Sequence, residues 1–398
     1  MSKLLLFTEH FPGKGETFID TELTYLAHTF DKIIIFPLFE NESVHRILPE
    51  NCIVMPPVTR NNFSIIIKGV FSKAPLCFFI KNFFSEKVFR KFRKFRKFVI
   101  ISCLTRCILS HKNFKIIQQL STEKNNILYF YWGAGYAYIL PFIQTINKKV
   151  VRFHRADLYT ERQKGNYLPF RKEIYTHLNQ AVFISQHGYE YAKRRYSEWK
   201  FNSTISYLGT PDHGIVSSKK DKKQCIHIVS CSNVIPIKRV TLIAEALKLL
   251  PATLHVSWTH LGDGPGFEEL KRICDQLPEH IQVHLKGYMP HSEIATFYKN
   301  TEIDLFINVS SSEGLPVSLM EAISFNIPVI ATNVGGSNEI VTPESGILLP
   351  EKFELSELSK DIIYIYQNYT QFQPRQLWLK KFYADKNYPQ FIKEILLS

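Results

Sequence analysis

The sequence predicts an α/β protein of two domains, each built on a parallel sheet with helices on both faces. Short apolar runs rich in β-branched and aromatic residues alternate with amphipathic segments of helix length, a pattern that favours parallel strands. The chain has 398 residues, more than one ordinary core accommodates. A polar, aperiodic segment at 214–224 separates two such series.

That segment sets the predicted domain boundaries. We expect an N-terminal domain over 1–213, a linker over 214–224 and a C-terminal domain over 225–377. The strands expected in the first domain are 4–8, 32–37, 127–131, 150–153, 181–185 and 203–207. Those expected in the second are 226–230, 254–260, 283–286, 305–309 and 328–332.

The composition is that of a folded protein, with 45% apolar and 21% charged residues. The excess of Lys and Arg gives a net charge of +13, which indicates an anionic partner: nucleic acid, a membrane surface or a phosphorylated substrate. The seven cysteines lie mostly in apolar runs and suit reduced thiols rather than a zinc site. The apolar run at the start of the sequence is too short, and is followed too early by polar residues, for a signal peptide. No stretch approaches the roughly 20 apolar residues of a membrane span. We therefore expect a cytoplasmic protein.

A basic, aromatic segment at 81–98 interrupts the pattern. On a helix, phenylalanines spaced by three would share one slowly turning face, with cations covering the rest. The residues of this repeat are Phe89, Arg90, Lys91, Phe92, Arg93, Lys94, Phe95, Arg96, Lys97 and Phe98. Such a helix suits an anionic membrane surface, whereas a surface helix whose phenylalanines join the core is the alternative. Nucleic acid is not expected, because no known binding module occurs.

The most informative stretch is 305–341, where a buried strand ends in a Ser-rich turn. Pro316 suits the first turn of a helix that we expect to end near Phe325. The start of this helix then lies at the carboxyl end of a parallel strand, where amides of Val317, Ser318 and Leu319 can bind a diphosphate. Gly314 permits close approach, and Glu313 should face the cleft. Glu321 lies five residues beyond Pro316, about 7.5 Å along the axis, and suits ribose hydroxyls.

Two glutamates eight apart, bracketing Gly-Leu-Pro and followed by Gly-Gly-x-x-Glu, resemble the donor signature of the retaining GT-B glycosyltransferases of the glycosyl transferases group 1 family, also called family 4. Asn326 stands where that family usually has Gly. The resemblance implies two facing Rossmann-like domains, with residues 378–398 packing back on the first. It also implies donor contacts at Glu313, Gly314, Leu315, Pro316, Val317 and Glu321.

Upstream phrases add to the resemblance. Residues 232–247 are similar to the family's Gly-Arg-x-x-x-x-Lys-Gly segment, which implies that Lys238 contacts the donor diphosphate. Asn233 replaces the family's arginine, and Arg239 is the candidate to compensate. The 262–266 glycine turn is expected to be structural, because Phe267 occupies the third glycine of a dinucleotide motif. Tyr288 and Met289 are candidate contacts to the nucleotide base.

Two phrases of the N-terminal half also resemble the family. Residues 11–19 are similar to the Phe-Pro-x-x-Ser-Glu-Thr-Phe-Ile phrase of polysaccharide-building members of the family. This likeness implies that Gly13, Gly15 and Glu16 lie near the donor. The alternative is a plain glycine turn before a helix. Residues 152–159 look like the family's His-Gly-x-Asp loop. This likeness implies that His154 touches the transferring sugar and that Asp157 supports the loop.

The resemblance implies retaining transfer from a nucleotide sugar, UDP-linked before GDP-linked, to a saccharide acceptor. The favoured acceptor is a lipid-linked saccharide of lipopolysaccharide or capsule synthesis at the inner face of a bacterial membrane. No Asp-x-Asp pair occurs, so neither a metal nor another cofactor is expected. Two alternatives stay open: a nucleotide-sugar-binding relative that epimerises or phosphorolyses, and a non-catalytic protein recruited to membranes.

Overall fold

The computed structural model describes residues 2–13, 16, 18–40, 46–59, 62–72, 74–163, 165–215 and 225–398. The chain forms two compact units. Unit 1 comprises Met1–Ser206 with Tyr388–Ser398, and unit 2 comprises Tyr207–Asn387. Most of the predicted linker, residues 216–224, lies outside the described residues.

Unit 1 contains a seven-stranded, all-parallel sheet with the order β3-β2-β1-β4-β5-β6-β7. Its strands are β1 Lys3–Thr8, β2 Lys32–Pro37, β3 Cys52–Val54, β4 Ile127–Phe130, β5 Lys149–Phe153, β6 Gln180–Phe183 and β7 Ser203–Ile205. Alternate residues of the central strands enter two different cores. Leu4 and Leu6 face one, and Leu5 and Phe7 face the other. Burial on both faces explains why these strands read as continuous apolar runs.

Helices cover both faces of this sheet. They are α1 Phe18–Thr29, α2 Asn62–Val70, α3 Leu76–Ser85, α4 Phe92–Ser110, α5 Lys112–Thr122, α6 Arg155–Leu158, α7 Arg171–His177 and α8 Gln186–Arg195. Short 3₁₀ segments occur at Val88–Arg90, Gly135–Phe142 and Thr160–Arg162. The C-terminal residues Phe391, Ile392, Ile395 and Leu396 pack in the same core as α1.

Unit 2 contains a six-stranded parallel sheet with the order β10-β9-β8-β11-β12-β13. The strands are β8 Cys225–Cys231, β9 His255–Leu261, β10 Ile281–Leu285, β11 Leu305–Asn308, β12 Val329–Thr332 and β13 Gly346–Leu349. The helices are α9 Thr241–Leu247, α10 Phe267–Cys274, α11 His291–Asn300, α12 Val317–Ser324, α13 Leu355–Gln367 and α14 Pro374–Lys381. Further 3₁₀ segments are Pro236–Lys238, Ser337–Glu339 and Tyr369–Gln371. Helix α15 Ala384–Phe391 begins in unit 2 and ends in unit 1, where Ile392–Leu396 continues it as a π-helical turn.

The predicted fold class is confirmed: both units are α/β with parallel sheets. All eleven predicted strands are present, with ends shifted by at most two residues. Two short outer strands, β3 and β13, were not predicted. None of the seven cysteines, all of which lie in the described ranges, forms a disulfide. Among the described residues no helix is long and apolar enough to cross a membrane.

The expected helical repeat is α-helical only from Phe92 onward, and the segment 81–98 is not one continuous helix. Helix α3 ends at Ser85, Lys87 has a left-handed backbone (φ 51°), and Lys91 is extended before α4 begins. The break follows from tertiary contacts, because Glu86 accepts hydrogen bonds from the Tyr167 hydroxyl and the Phe170 amide. The rings also divide: Phe98 is buried, whereas Phe89, Phe92 and Phe95 are 58%, 79% and 43% exposed.

Candidate functional site

The strand order of unit 2 creates a crevice between β8 and β11. These neighbours are parallel, and from them the chain proceeds outward in opposite directions, to β9 and β10 on one side and to β12 and β13 on the other. In open parallel sheets, ligands bind where this reversal separates the loops at the carboxyl ends of two adjacent strands. The loops after β8 and β11 carry Lys238 and Glu313.

The two loops are joined by hydrogen bonds. The Ser311 amide and hydroxyl both donate to the Ile237 carbonyl, at 2.8 and 3.2 Å. Lys238 Nζ then lies 2.5 Å from Glu313 Oε1, and the two side chains are 24% and 9% exposed. Asn308 Nδ2 donates to the same oxygen at 3.3 Å. Two residues 75 positions apart, predicted separately, therefore form one half-buried ion pair.

A glycine turn fixes the backbone under Glu313. Gly335 has φ +58°, and a Cβ there would lie 2.0 Å from the Glu313 carbonyl oxygen. The Gly336 amide donates to the Gly314 carbonyl at 2.7 Å. The Gly-Gly pair of the sequence motif thus holds the segment that carries Glu313 and Gly314, with no room for a side chain at 335.

Helix α12 begins where predicted, with Pro316 as its N-terminal capping residue and Leu315 buried just before it. The Leu319 amide donates to the Pro316 carbonyl at 3.1 Å. Within the described chain the amides of Val317 and Ser318 have no protein partner, as expected for a first helical turn. Two of the three amides predicted to bind an anion therefore remain available at the start of α12.

Glu321, on the next turn of α12, has a partner that the sequence did not indicate. Its Oε1 lies 2.6 Å from Nε2 of His291, the first residue of α11. The side chains are 14% and 35% exposed, so the carboxylate is held at the edge of the crevice. No local spacing could reveal this pair, because 30 residues separate its members.

Arg239 does not play the compensating role predicted for it. It has a left-handed backbone (φ 50°), and its guanidinium donates to the carbonyls of Val309, Ser310 and Glu351 at 2.7, 3.1 and 2.9 Å. The side chain therefore secures the loop after β11 instead of extending toward an anion. Asn233, at the usual arginine position, is exposed.

The remaining unit 2 predictions lie at the same edge of the sheet. Gly262 has φ +141°, and a Cβ there would lie 1.9 Å from the Ser232 carbonyl oxygen, which fits a structural turn. The Gly262 amide donates to the Gly287 carbonyl at 2.8 Å, so the loop carrying Tyr288 and Met289 is attached to this turn. The Tyr288 side chain is 64% exposed and Met289 is half-buried.

In unit 1 the corresponding crevice lies between β1 and β4. The Glu16 carboxylate accepts hydrogen bonds from the amides of His10 and Phe11, at 2.6 and 2.5 Å, and from the Trp132 indole N–H. The Gly13 amide donates to the His10 carbonyl at 2.7 Å. Glu16 thus connects the loop after β1 to the loop after β4. Gly15 lies outside the described residues.

His154 follows β5 and is buried among Phe18, Tyr131 and Trp132. Burial and the Arg152 charge lower the pKa of His154 to about 3, so the ring is neutral at ordinary pH. Its Nε2 is buried without a hydrogen-bond partner in the described part of the chain. A neutral ring with one unpaired nitrogen can exchange a hydrogen bond with a ligand hydroxyl but cannot supply a positive charge.

Two carboxylates organise this end of unit 1. Asp157 accepts from the amides of Gly133 and His154 at 2.5 and 2.6 Å, which is the supporting role predicted for it. Burial raises its pKa to about 7, although the Arg171 charge opposes this. Glu9 was not predicted. Burial, then the charges of Glu16 and Asp157, raises its pKa to about 8.

In the described ranges no group of three His, Cys, Asp or Glu side chains is placed to hold a metal ion. The groups around the crevice of unit 2 are one ammonium, two helix-terminal amides and two carboxylates. This set can bind a phosphorylated, hydroxylated ligand.

Comparison with known proteins fits this geometry. The Glycosyl transferases group 1 family model matches residues 215–378. The O-antigen biosynthesis glycosyltransferase WbnH of Escherichia coli is 31% identical over 162 residues, which are 40% of this chain and 44% of that protein. The chain thus matches less than half the length of this relative.

Solved structures extend the likeness to the whole chain, at the level of fold. The lipopolysaccharide outer core galactosyltransferase WaaB aligns with a TM-score of 0.65 and 14% identity, over 98% of this chain and 99% of that one. Anabaena Alr3699/HepE in complex with UDP aligns with a TM-score of 0.67 and 15% identity, over 99% of both chains. Residues 215–378 therefore match the Glycosyl transferases group 1 family model, and the two Rossmann-like units of the chain have the GT-B fold.

Proposed function

We propose that this protein is a glycosyltransferase that moves a sugar from a nucleotide-sugar donor to a saccharide acceptor in surface-polysaccharide synthesis. The Lys238–Glu313 pair, held beside the α12 amides at the strand reversal of unit 2, is the observation on which this proposal mainly depends. The matches to O-antigen and colanic acid glycosyltransferases support the pathway class.

The donor diphosphate binds the Lys238 ammonium and the amides of Val317 and Ser318. A cation and helix-terminal N–H groups together favour two adjacent phosphates and stabilise the charge that develops on the leaving diphosphate. Glu321 accepts hydrogen bonds from the ribose hydroxyls. His291, 2.6 Å from that carboxylate, holds it in position.

Transfer proceeds with retention and without a metal. The bond from the sugar anomeric carbon to the diphosphate oxygen breaks, the acceptor oxygen attacks from the same face, and a diphosphate oxygen takes the acceptor proton. Glu313 is not proposed as a covalent nucleophile, because its Oε1 already accepts from Lys238 and Asn308. His154 contacts the transferring sugar as a neutral hydrogen-bonding group, in keeping with its low pKa.

UDP is the proposed nucleotide, with GDP second. Alr3699/HepE, of similar fold, was solved with UDP. The proposed acceptor is a lipid-linked saccharide, and the proposed location is the inner face of the cytoplasmic membrane. The exposed rings Phe89, Phe92 and Phe95, with the neighbouring cations, form the membrane-facing surface in this proposal. Lys97 is not part of it, because its Nζ donates to Gln163 at 2.5 Å.

A donor screen tests the activity. The purified chain is incubated with a panel of nucleotide sugars, with and without chelator, and free nucleotide is measured. We expect release from one donor, unaffected by the chelator and lost in Glu313→Ala and Lys238→Ala. The matched controls are Glu245→Ala and Lys248→Ala, which remove a surface ion pair of the same unit and should keep full activity. Turnover retained in both site variants would contradict the proposed site, and turnover of no donor would favour the non-catalytic alternative.

Sedimentation with vesicles tests the location separately. Binding to phosphatidylglycerol vesicles should fall when Arg90, Lys91, Arg93, Lys94 and Arg96 are changed to Gln, and should be weak for phosphatidylcholine vesicles. Neutralising five exposed cations elsewhere in unit 1 is the control for net charge. Equal sedimentation of the two variants would reject this surface as the anchor.

A further inference from the structure

Unit 1 contains an open cavity of about 1140 Å³ that no part of the proposed transfer reaction uses. It lies between α2, α4, α5 and the end of the 3₁₀ segment Gly135–Phe142. Its floor is apolar and includes Cys107, Leu109, Phe114 and Phe142. A volume above that of ordinary small-molecule sites, on an apolar floor, suits a hydrocarbon chain.

Three lysines line the same cavity: Lys68, Lys112 and Lys115. All three are exposed, and none forms an ion pair with a carboxylate in the described part of the chain. His111 lines the same cavity and directly precedes Lys112. Burial, then the charges of Lys68 and Lys112, lowers the pKa of His111.

The surrounding sequence provides no compensating negative charge. Residues 51–122 contain fourteen Lys and Arg and a single acid, Glu86, so this segment alone accounts for the +13 of the whole chain. The Glu86 carboxylate accepts from Tyr167 and Phe170 and is engaged away from the cavity. An apolar cavity with a cationic mouth is complementary to an amphiphile with an anionic head group.

Exposed apolar residues continue outward from the cavity. Of the twenty large apolar side chains exposed in the described part of the chain, ten fall between residues 67 and 99. Phe71, which lines the cavity, is 82% exposed, and Leu76, on the adjoining helix α3, is 59% exposed. A concentration of this kind marks a binding surface, and here it borders a cavity with the charge to hold a phosphate head group.

We propose that this cavity binds the chain of a single anionic phospholipid, with its phosphate at Lys68, Lys112 and Lys115. The site lies outside the donor crevice and is separate from the sugar-transfer chemistry. A lipid held there would attach unit 1 to one molecule of the bilayer, in addition to the less specific attraction of its basic surface.

The test measures binding of palmitoyl-lysophosphatidylglycerol, below its micelle concentration, to the full chain by calorimetry. The triple variant Lys68→Gln, Lys112→Gln, Lys115→Gln should bind it at least about tenfold more weakly, since each cation near a phosphate contributes appreciably. The triple control Lys32→Gln, Lys124→Gln, Lys172→Gln removes the same charge from exposed positions of unit 1 and should bind as the parent does.

Two further ligands distinguish binding of the whole anionic lipid from binding of its acyl chain alone or of its phosphate alone. Palmitoyl-lysophosphatidylcholine should bind at least about tenfold more weakly than the anionic lipid, and inorganic phosphate should not displace it at equal concentration. The proposal is overturned if the parent does not bind the lysophospholipid, if the two triple variants bind it equally, or if phosphate alone competes as well. Thermal melts of both variants establish that they are folded, and the three single Lys→Gln variants should each show a smaller loss.

Discussion

Replacing Glu313 by Gln should increase the affinity for UDP while abolishing sugar transfer. In the structure the Lys238 ammonium is already engaged, 2.5 Å from the Glu313 carboxylate. A diphosphate that binds Lys238 must therefore compete with an intramolecular anion. Glutamine keeps the shape of the side chain and its acceptor oxygen but removes the charge that competes.

The expected magnitude follows from the burial of the pair. A hydrogen bond between charged groups contributes about 1.5–3 kcal/mol net, and Lys238 is 24% exposed, which places the value near the lower end. Removing the competition should tighten UDP binding by about 1–2 kcal/mol, which is about fivefold to thirtyfold. Lys238→Met should have the opposite effect and weaken UDP binding by at least about tenfold, because an unpaired carboxylate then faces the phosphates.

Calorimetric titration with UDP, and with GDP as the second nucleotide, measures both variants. A double variant should bind UDP more weakly than Glu313→Gln and more tightly than Lys238→Met. The pair Glu245→Gln and Lys248→Met is the control, because these residues form a surface ion pair in the same unit. Weaker UDP binding by Glu313→Gln, or unchanged binding by Lys238→Met, would refute the competition.

Three further predictions concern the framework of the two units. Glu22→Gln should lower the free energy of unfolding by about 3–5 kcal/mol in urea, because fully buried Arg152 would lose the carboxylate that lies 3.1 Å away; a loss below about 1 kcal/mol would show that the pair is dispensable. Glu9→Gln should change how stability depends on pH. The pKa of Glu9 is raised to about 8 in the folded state, so the folded protein keeps a proton that the unfolded chain releases near pH 4.5. The free energy of unfolding of the parent therefore falls as the pH rises between these values. The variant should flatten that slope and gain about 1–3 kcal/mol at pH 8, and an unchanged slope in urea titrations would contradict this. Gly335→Ala should lower the free energy of unfolding by about 1–2 kcal/mol and kcat/KM by at least about tenfold, because the added Cβ would displace the Glu313 backbone. Normal kinetics would contradict the proposal that Gly335 fixes the position of Glu313.

Much of the framework could be predicted from the sequence because the sheets are buried on both faces. A short, continuous apolar run such as Ile33–Ile34–Ile35 indicates a strand buried on both faces of a sheet. Every strand predicted from such runs is present. The outer strands β3 and β13 were missed: β3 has three residues and none is buried, and only two of the four residues of β13 are buried. The family resemblance implied separate donor contacts for Lys238 and Glu313, but the ion pair between them was not predicted, since 75 residues separate the two.

What could not be predicted depends on backbone direction and on distant contacts. Arg239 follows Lys238 directly, yet its left-handed backbone sends the guanidinium to carbonyls behind the loop after β11. His291 meets Glu321 only because α11 and α12 adjoin the same crevice. The repeat at 89–98 has helical spacing throughout, but the chain is interrupted between α3 and α4, where Glu86 accepts hydrogen bonds from Tyr167 and Phe170.

If the proposed membrane association holds, the uneven distribution of charge has a consequence for how the molecule approaches a bilayer. Because residues 51–122 hold the entire surplus, the other residues are neutral in sum, and an anionic surface exerts a torque on unit 1 as well as an attraction. That torque acts over about one Debye length, roughly 8 Å at physiological salt. The molecule would therefore turn its basic segment toward the lipid before touching it, and added salt should slow arrival more than it hastens departure once apolar side chains have inserted.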